Sequence, residues 1–130
     1  MPSTVLIVED ADACSTTLEI ALTALPGVEV VTAASGRAAW RRVQQRDIAA
    51  IVTDLQMPFM DGFELIERVR GDARLAHVPI IVVSGDSDPD TPERVRRLGA
   101  NAYFVKPYSP AAVREQLERL LNAHPSQGSP

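Results

Sequence analysis

The stretch "AAIVTDLQMPFMDG", residues 49–62, decides how this chain folds. Its first five residues are small, apolar or β-branched, and they read as a strand buried on both faces. The strand runs into a carboxylate, Asp54, and Pro58 and Gly62 then bend the chain away. A carboxylate at the end of a core strand needs a reason, and the reason must lie in what gathers around it.

Working outward, "TVLIV" (4–8) and "PIIVV" (79–83) are apolar runs of the same kind, and "VEVVTA" (28–33) and "AYFV" (102–105) are weaker ones. Helical patterns fill the gaps. Leu18, Ala21, Leu22 and Leu25 share one face over 13–25, and Pro26-Gly27 ends that helix. Residues 36–46 follow a Ser35 cap, and 61–71 place Phe63, Ile66 and Val69 together. Thr91-Pro92-Glu93 starts a helix that Gly99 stops. Ser109-Pro110 opens the last, with Val113, Leu117, Leu120 and Leu121 inward. Strict βα alternation predicts a parallel sheet covered on both sides. The expected fold is a flavodoxin-like three-layer α/β/α sandwich with five strands in the order 2-1-3-4-5.

The chain has 130 residues, enough for one core, with a formal net charge of −4 and a pI of about 5.1. That balance argues against bulk nucleic-acid binding, and no helix-turn-helix pattern follows. Cys14 is the single cysteine, so no intrachain disulfide forms; it reads as a packed residue. No apolar run reaches the roughly 18 residues of a membrane span, and the N-terminus does not read as a signal peptide, so a cytoplasmic location is expected. The domain is expected over 1–122, with "HPSQGSP" at 124–130 leading the reading of 123–130 as a disordered tail or the start of a linker.

In such folds ligands bind beyond the carboxyl ends of the strands. There strand 1 delivers Glu9 and Asp10, strand 3 Asp54, strand 4 Ser84 and strand 5 Lys106, while strand 2 delivers nothing reactive. Taken singly, an acid here is a helix cap, the lysine a loop residue and the serine a turn residue. All five on one rim are harder to explain that way. Three crowded acids repel unless a cation sits among them, and oxygen donors select Mg²⁺ or Mn²⁺ over zinc. A partly hydrated metal of that kind partners phosphoryl groups, whose remaining oxygens Lys106 and Ser84 would contact. Asp54 is the candidate nucleophile, leaving Glu9 and Asp10 to hold metal.

With "VLIVED", "TDLQMPFMDG", "VVSGD" and "FVKPYS" in this order and spacing, the chain resembles the receiver domain of two-component response regulators over about residues 4–122. The resemblance implies that Asp54 accepts a phosphoryl group from the phosphohistidine of a sensor histidine kinase or a histidine phosphotransfer protein. It implies Mg²⁺ held directly by Asp10 and through water by Glu9, with Asp54 and the backbone carbonyl of Gln56 completing the set. Ser84 would be the switch hydroxyl, Tyr103 the switch aromatic and Lys106 the conserved-type lysine, with a cis bond before Pro107. Phosphorylation would change the face of helix 4, strand 5 and helix 5, read by an output domain or protein. Such a domain catalyses only its own phosphorylation and dephosphorylation.

Pro58 and Gly62 shape the turn after Asp54. Gly85 stands where the family more often has alanine, and Gln56 and Asp86 occupy positions that influence phosphoryl lifetime. Arg94, Arg96 and Arg97 form either a solvated helix face or a contact patch for an acidic partner or a second copy of the chain, a homodimer. Trp40 is expected to pack against the sheet, away from Asp54. Two alternatives stand beside the main reading. One is a phosphoryl relay or sink module of a hybrid kinase or multidomain regulator. The other is a haloacid dehalogenase-type phosphatase, against which Gln56 stands where that class places a second Asp.

Overall fold

The structure, a computed structural model, describes residues 3–9, 16–57, 60–85 and 88–123. Asp10, Cys14, Pro58, Asp86 and the 124–130 segment lie outside the described residues. The elements run β1 (Ser3–Val8), α1 (Thr16–Thr23), β2 (Val28–Ala33), α2 (Gly36–Gln45), β3 (Ala50–Asp54), α3 (Gly62–Gly71), β4 (Ile80–Ser84), α4 (Thr91–Leu98), β5 (Ala102–Val105) and α5 (Pro110–Ala123). The strands form one parallel sheet in the order β2-β1-β3-β4-β5.

Alternate residues of each central strand enter two separate cores, which is why the strands read as unbroken apolar runs. Leu6, Val8, Ile51, Ile80 and Val82 face one core, closed by Ala39 and Val43 of α2, Leu65, Ile66 and Val69 of α3, and Val95 of α4. Val5, Ile7, Val52, Ile81 and Val83 face the other, closed by Leu18 and Leu22 of α1 and Val113 and Leu117 of α5. A fully buried side chain of this size is worth about 1.5–3 kcal/mol, so both layers are held by the sheet between them. Trp40 is half-buried against the first core, with the Arg68 guanidinium 5.8 Å from its ring centre.

Helix ends follow local chemistry. Ser35 Oγ accepts from Ala38 N at 3.1 Å and Asp61 Oδ1 from Glu64 N at 2.9 Å, capping α2 and α3. Several boundaries differ from expectation, those of β1, α2 and α3 by one residue at one end. The α1 helix ends at Thr23, because Leu25 N already turns to Leu22 O (3.1 Å) ahead of Pro26 and Gly27. Strands expected over 49–53 and 79–83 each lie one residue later. Pro79 has no N–H for the ladder, while Asp54 pairs with Val83 and Ser84 with Val105. Both side chains of interest are therefore held by the sheet itself.

Gly62 shows why the bend after Asp54 needs a glycine. A Cβ there would stand 2.4 Å from the Asp54 carbonyl oxygen and 2.8 Å from Leu55 Cα, both backbone atoms. Gly62 N also donates to Leu55 O at 2.9 Å, so helix and strand end cannot part cheaply. Gly62→Ala is expected to cost about 2–3 kcal/mol by overpacking. Thermal unfolding would show this as a Tm lower by about 5–15 °C.

Candidate functional site

The parallel register brings the carboxyl ends of β1, β3, β4 and β5 to one rim. Asp54 is the last residue of β3 and 7% exposed. The adjacent backbone grips its carboxylate: Oδ1 accepts from Leu55 N at 2.7 Å and Gln56 N at 3.3 Å. Its other oxygen, Oδ2, receives Lys106 Nζ at 2.5 Å. Lys106 reaches it from just past β5, where its own N–H donates to Ser84 O at 2.8 Å and its bond to Pro107 is cis, as the resemblance implied. Ser84 ends β4 fully buried.

Glu9 follows β1, held by a bond from its N–H to Ala33 O at 3.0 Å. It is 6% exposed, and its Oε2 lies 3.9 Å from Lys106 Nζ, too far for a hydrogen bond. Its Oε1 is buried with no hydrogen-bond partner among the described residues. Burial pushes the Glu9 carboxyl above its ordinary value; Lys106 pulls it back and the Asp54 charge adds to the rise. One lysine thus faces two carboxylates, and one of them keeps an unanswered oxygen. A buried orphan acceptor of this kind calls for an explanation, and a hydrated hard cation supplies one.

Among the described residues no group of three or more potential metal ligands gathers. Glu9 and Asp54 are two of the three expected carboxylates, and the third, Asp10, is outside the described residues, as are Pro58 and Asp86. Gln56 is exposed beside Asp54, and its N–H serves the Asp54 carboxylate. Tyr103 is half-buried in β5 on the α4 side of the sheet. Apart from its chain neighbours, no atom of the described residues lies within 4 Å of where a Gly85 Cβ would point.

Sequence reasoning missed three features. It did not foresee the Leu55 and Gln56 N–H groups as clamps on Asp54, or the buried Thr53 hydroxyl that donates to Asp54 O at 2.8 Å. It also missed the groove of about 470 Å³ beside Glu9 and Lys106, walled by Thr17, Leu18, Pro107, Tyr108 and Pro110. Backbone donors and grooves between helices leave no residue-type signal.

The family model for the response regulator receiver domain matches residues 5–118. The chemotaxis protein CheY1 of Helicobacter pylori is 30% identical over 120 residues, which is 92% of this chain and 97% of that protein. The chemotaxis response regulator CheY4 of Vibrio cholerae superimposes with a TM-score of 0.82 at 30% identity, over 93% of this chain and all of that one. The receiver domain of a sensor histidine kinase from Pseudomonas aeruginosa, whose active site cleft coordinates a magnesium ion, gives 0.81 at 28% identity, over 94% and 99% of the two chains. These likenesses do not favour the relay or phosphatase alternatives. With the strand order, the rim and the family match in agreement, the chain belongs to the response regulator receiver domain family.

Proposed function

We propose that Asp54 is the phosphoacceptor, taking its phosphoryl group from a phosphohistidine of a sensor histidine kinase or histidine phosphotransfer protein. The observation that carries this is the Lys106 ammonium on Asp54 Oδ2 beside Glu9 Oε1, which is buried without a partner among the described residues. An Asp54 oxygen attacks phosphorus, the P–N bond breaks, and its electron pair returns to the imidazole. The Leu55 and Gln56 N–H groups hold the carboxylate in place for that attack. Lys106 then lies beside the new phosphoryl oxygens and offsets their charge. Glu9, Asp10, Asp54 and the Gln56 carbonyl would hold Mg²⁺, with Mn²⁺ as a substitute of the same oxygen preference. When bound, the metal neutralises charge on the transferring group.

The phosphorylated aspartate carries nearly two negative charges and three acceptor oxygens. The Ser84 hydroxyl turns to it, Tyr103 moves inward, and the face of α4, β5 and α5 changes for an output domain or protein to read. Gln56 and Asp86 tune how long the phosphoryl group survives. The domain spans 1–122 and works in the cytoplasm as a signalling module, with no separate substrate turned over.

Incubation with acetyl phosphate followed by intact mass measurement tests this reading. One phosphoryl group is expected in Mg²⁺ and none in EDTA. Equal gain in both would refute the metal-dependent site.

A further inference from the structure

Arg70, near the end of α3, serves none of the chemistry above, yet it is the most heavily bonded side chain among the described residues. It lies on the opposite rim from Asp54, where α3 ends and β4 and β5 begin. Its Nε and Nη2 donate to Gly99 O at 3.1 and 2.7 Å. Nη2 also reaches Asn101 Oδ1 at 3.1 Å, and Nη1 donates to Val78 O at 2.7 Å and Ala76 O at 3.2 Å. Asn101 Oδ1 in turn accepts from Ile80 N at 2.8 Å, and Asn101 N donates to Ile80 O at 2.8 Å. One planar guanidinium thus ties together the loop before β4, the end of α4 and the start of β5.

Gly99 is shaped for this. Its φ of +120° suits glycine, and a Cβ would stand 2.7 Å from Arg70 Nε. The α4 helix is tied differently along its length. Its C-terminal end has Gly99 N bonded to Val95 O and Arg96 O, and Gly99 O bonded twice by Arg70. At the other end the Asp90 side chain makes no capping bond, and the bonds from Thr91 N to Asp88 O (3.1 Å) and from Asp90 N to Asp88 Oδ1 (2.9 Å) stay within the segment that leads into the helix. The Arg96 and Arg97 ion pairs with Glu93 stay within the helix and fasten it to nothing else. Arg94 rests over the Phe63 ring at 3.9 Å, a stacked contact that tolerates sliding.

We propose that Arg70 is the positioning residue of the switch, pinning the Gly99 end of α4 and the start of β5 so that phosphorylation swings the Thr91 end. The inference rests on the phosphorylation reading above. Displacing Gly99 would strand two half-buried guanidinium donors, Nε and Nη2, at once, whereas rotation about Gly99 keeps both. The end that swings is the one joined to Ser84, where the phosphoryl signal arises.

The test is residue-resolved backbone amide NMR on the full chain, with and without phosphorylation by excess acetyl phosphate and Mg²⁺. Wild type is compared with Arg70→Lys, which keeps the charge and loses the fork, and with Asn101→Ala, which removes one acceptor should the first variant fail to fold. In wild type the phosphorylation-induced shifts at 91–95 should exceed those at 99–101 by about threefold or more. In the variants the induced shifts at 99–101 should rise by about threefold, with phosphoryl gain by intact mass unchanged. A residue that only stabilised the fold would alter both states alike and leave the induced shifts as they were, which overturns the inference. Comparable induced shifts at both ends of wild-type α4 also overturn it. A phosphorylated wild type with no response anywhere in α4 removes the proposed switch itself, and the pivot with it.

Discussion

Asp54→Asn is expected to abolish phosphoryl acceptance while leaving the domain folded. Asparagine keeps an oxygen for the Leu55 and Gln56 N–H groups that now bond Asp54 Oδ1 at 2.7 and 3.3 Å. What it loses is the anionic nucleophile and the 2.5 Å pair with Lys106. It also removes the charge that helps push the Glu9 carboxyl upward, so part of the lost pairing is offset. Intact mass after treatment with acetyl phosphate and Mg²⁺ should show no added phosphoryl group, with circular dichroism unchanged. A variant that still gains the group would move the acceptor elsewhere.

Glu9→Gln is expected to act in opposite directions on metal binding and on stability. Removing the buried carboxylate proposed to help hold Mg²⁺ should weaken its binding by about 10- to 100-fold, readable by calorimetry. Without metal the same change should raise stability. Burial holds the Glu9 carboxyl above its ordinary 4.5, so the folded chain binds this proton more tightly than the unfolded chain. Stability from the protonated form is full below that ordinary value and is lost as pH rises through the raised folded value. The wild type should therefore lose stability against Glu9→Gln across that window, and the gap should persist at neutral pH in EDTA. A wild type that stays the more stable protein at neutral pH in EDTA would mean that Glu9 is satisfied without a cation.

The strand order was legible because β1, β3 and β4 are buried on both faces, and a two-sided core writes itself as continuous apolar runs. The rim was legible for a related reason. Once five parallel strands are ordered, whatever follows each of them must converge, and Glu9, Asp54, Ser84 and Lys106 do so. Strand ends slipped by one residue because apolar character does not reveal which backbone groups pair; Asp54 and Ser84 are in the ladder despite being polar. The Gly62 approach to Asp54 O and the Arg70 fork depend on distances between segments far apart in sequence. An arginine in a helix looks the same whether it faces water or bonds three backbone carbonyls and an asparagine side chain.

The most direct test is to locate the modified atom. Wild-type protein is treated with acetyl phosphate and Mg²⁺, reduced with borohydride and digested, and the peptide spanning residue 54 is sequenced by mass spectrometry. An aspartyl phosphate is reduced to homoserine, so homoserine at position 54, and only after phosphorylation, is the predicted result. Homoserine at another aspartate, with position 54 unchanged, would contradict the account.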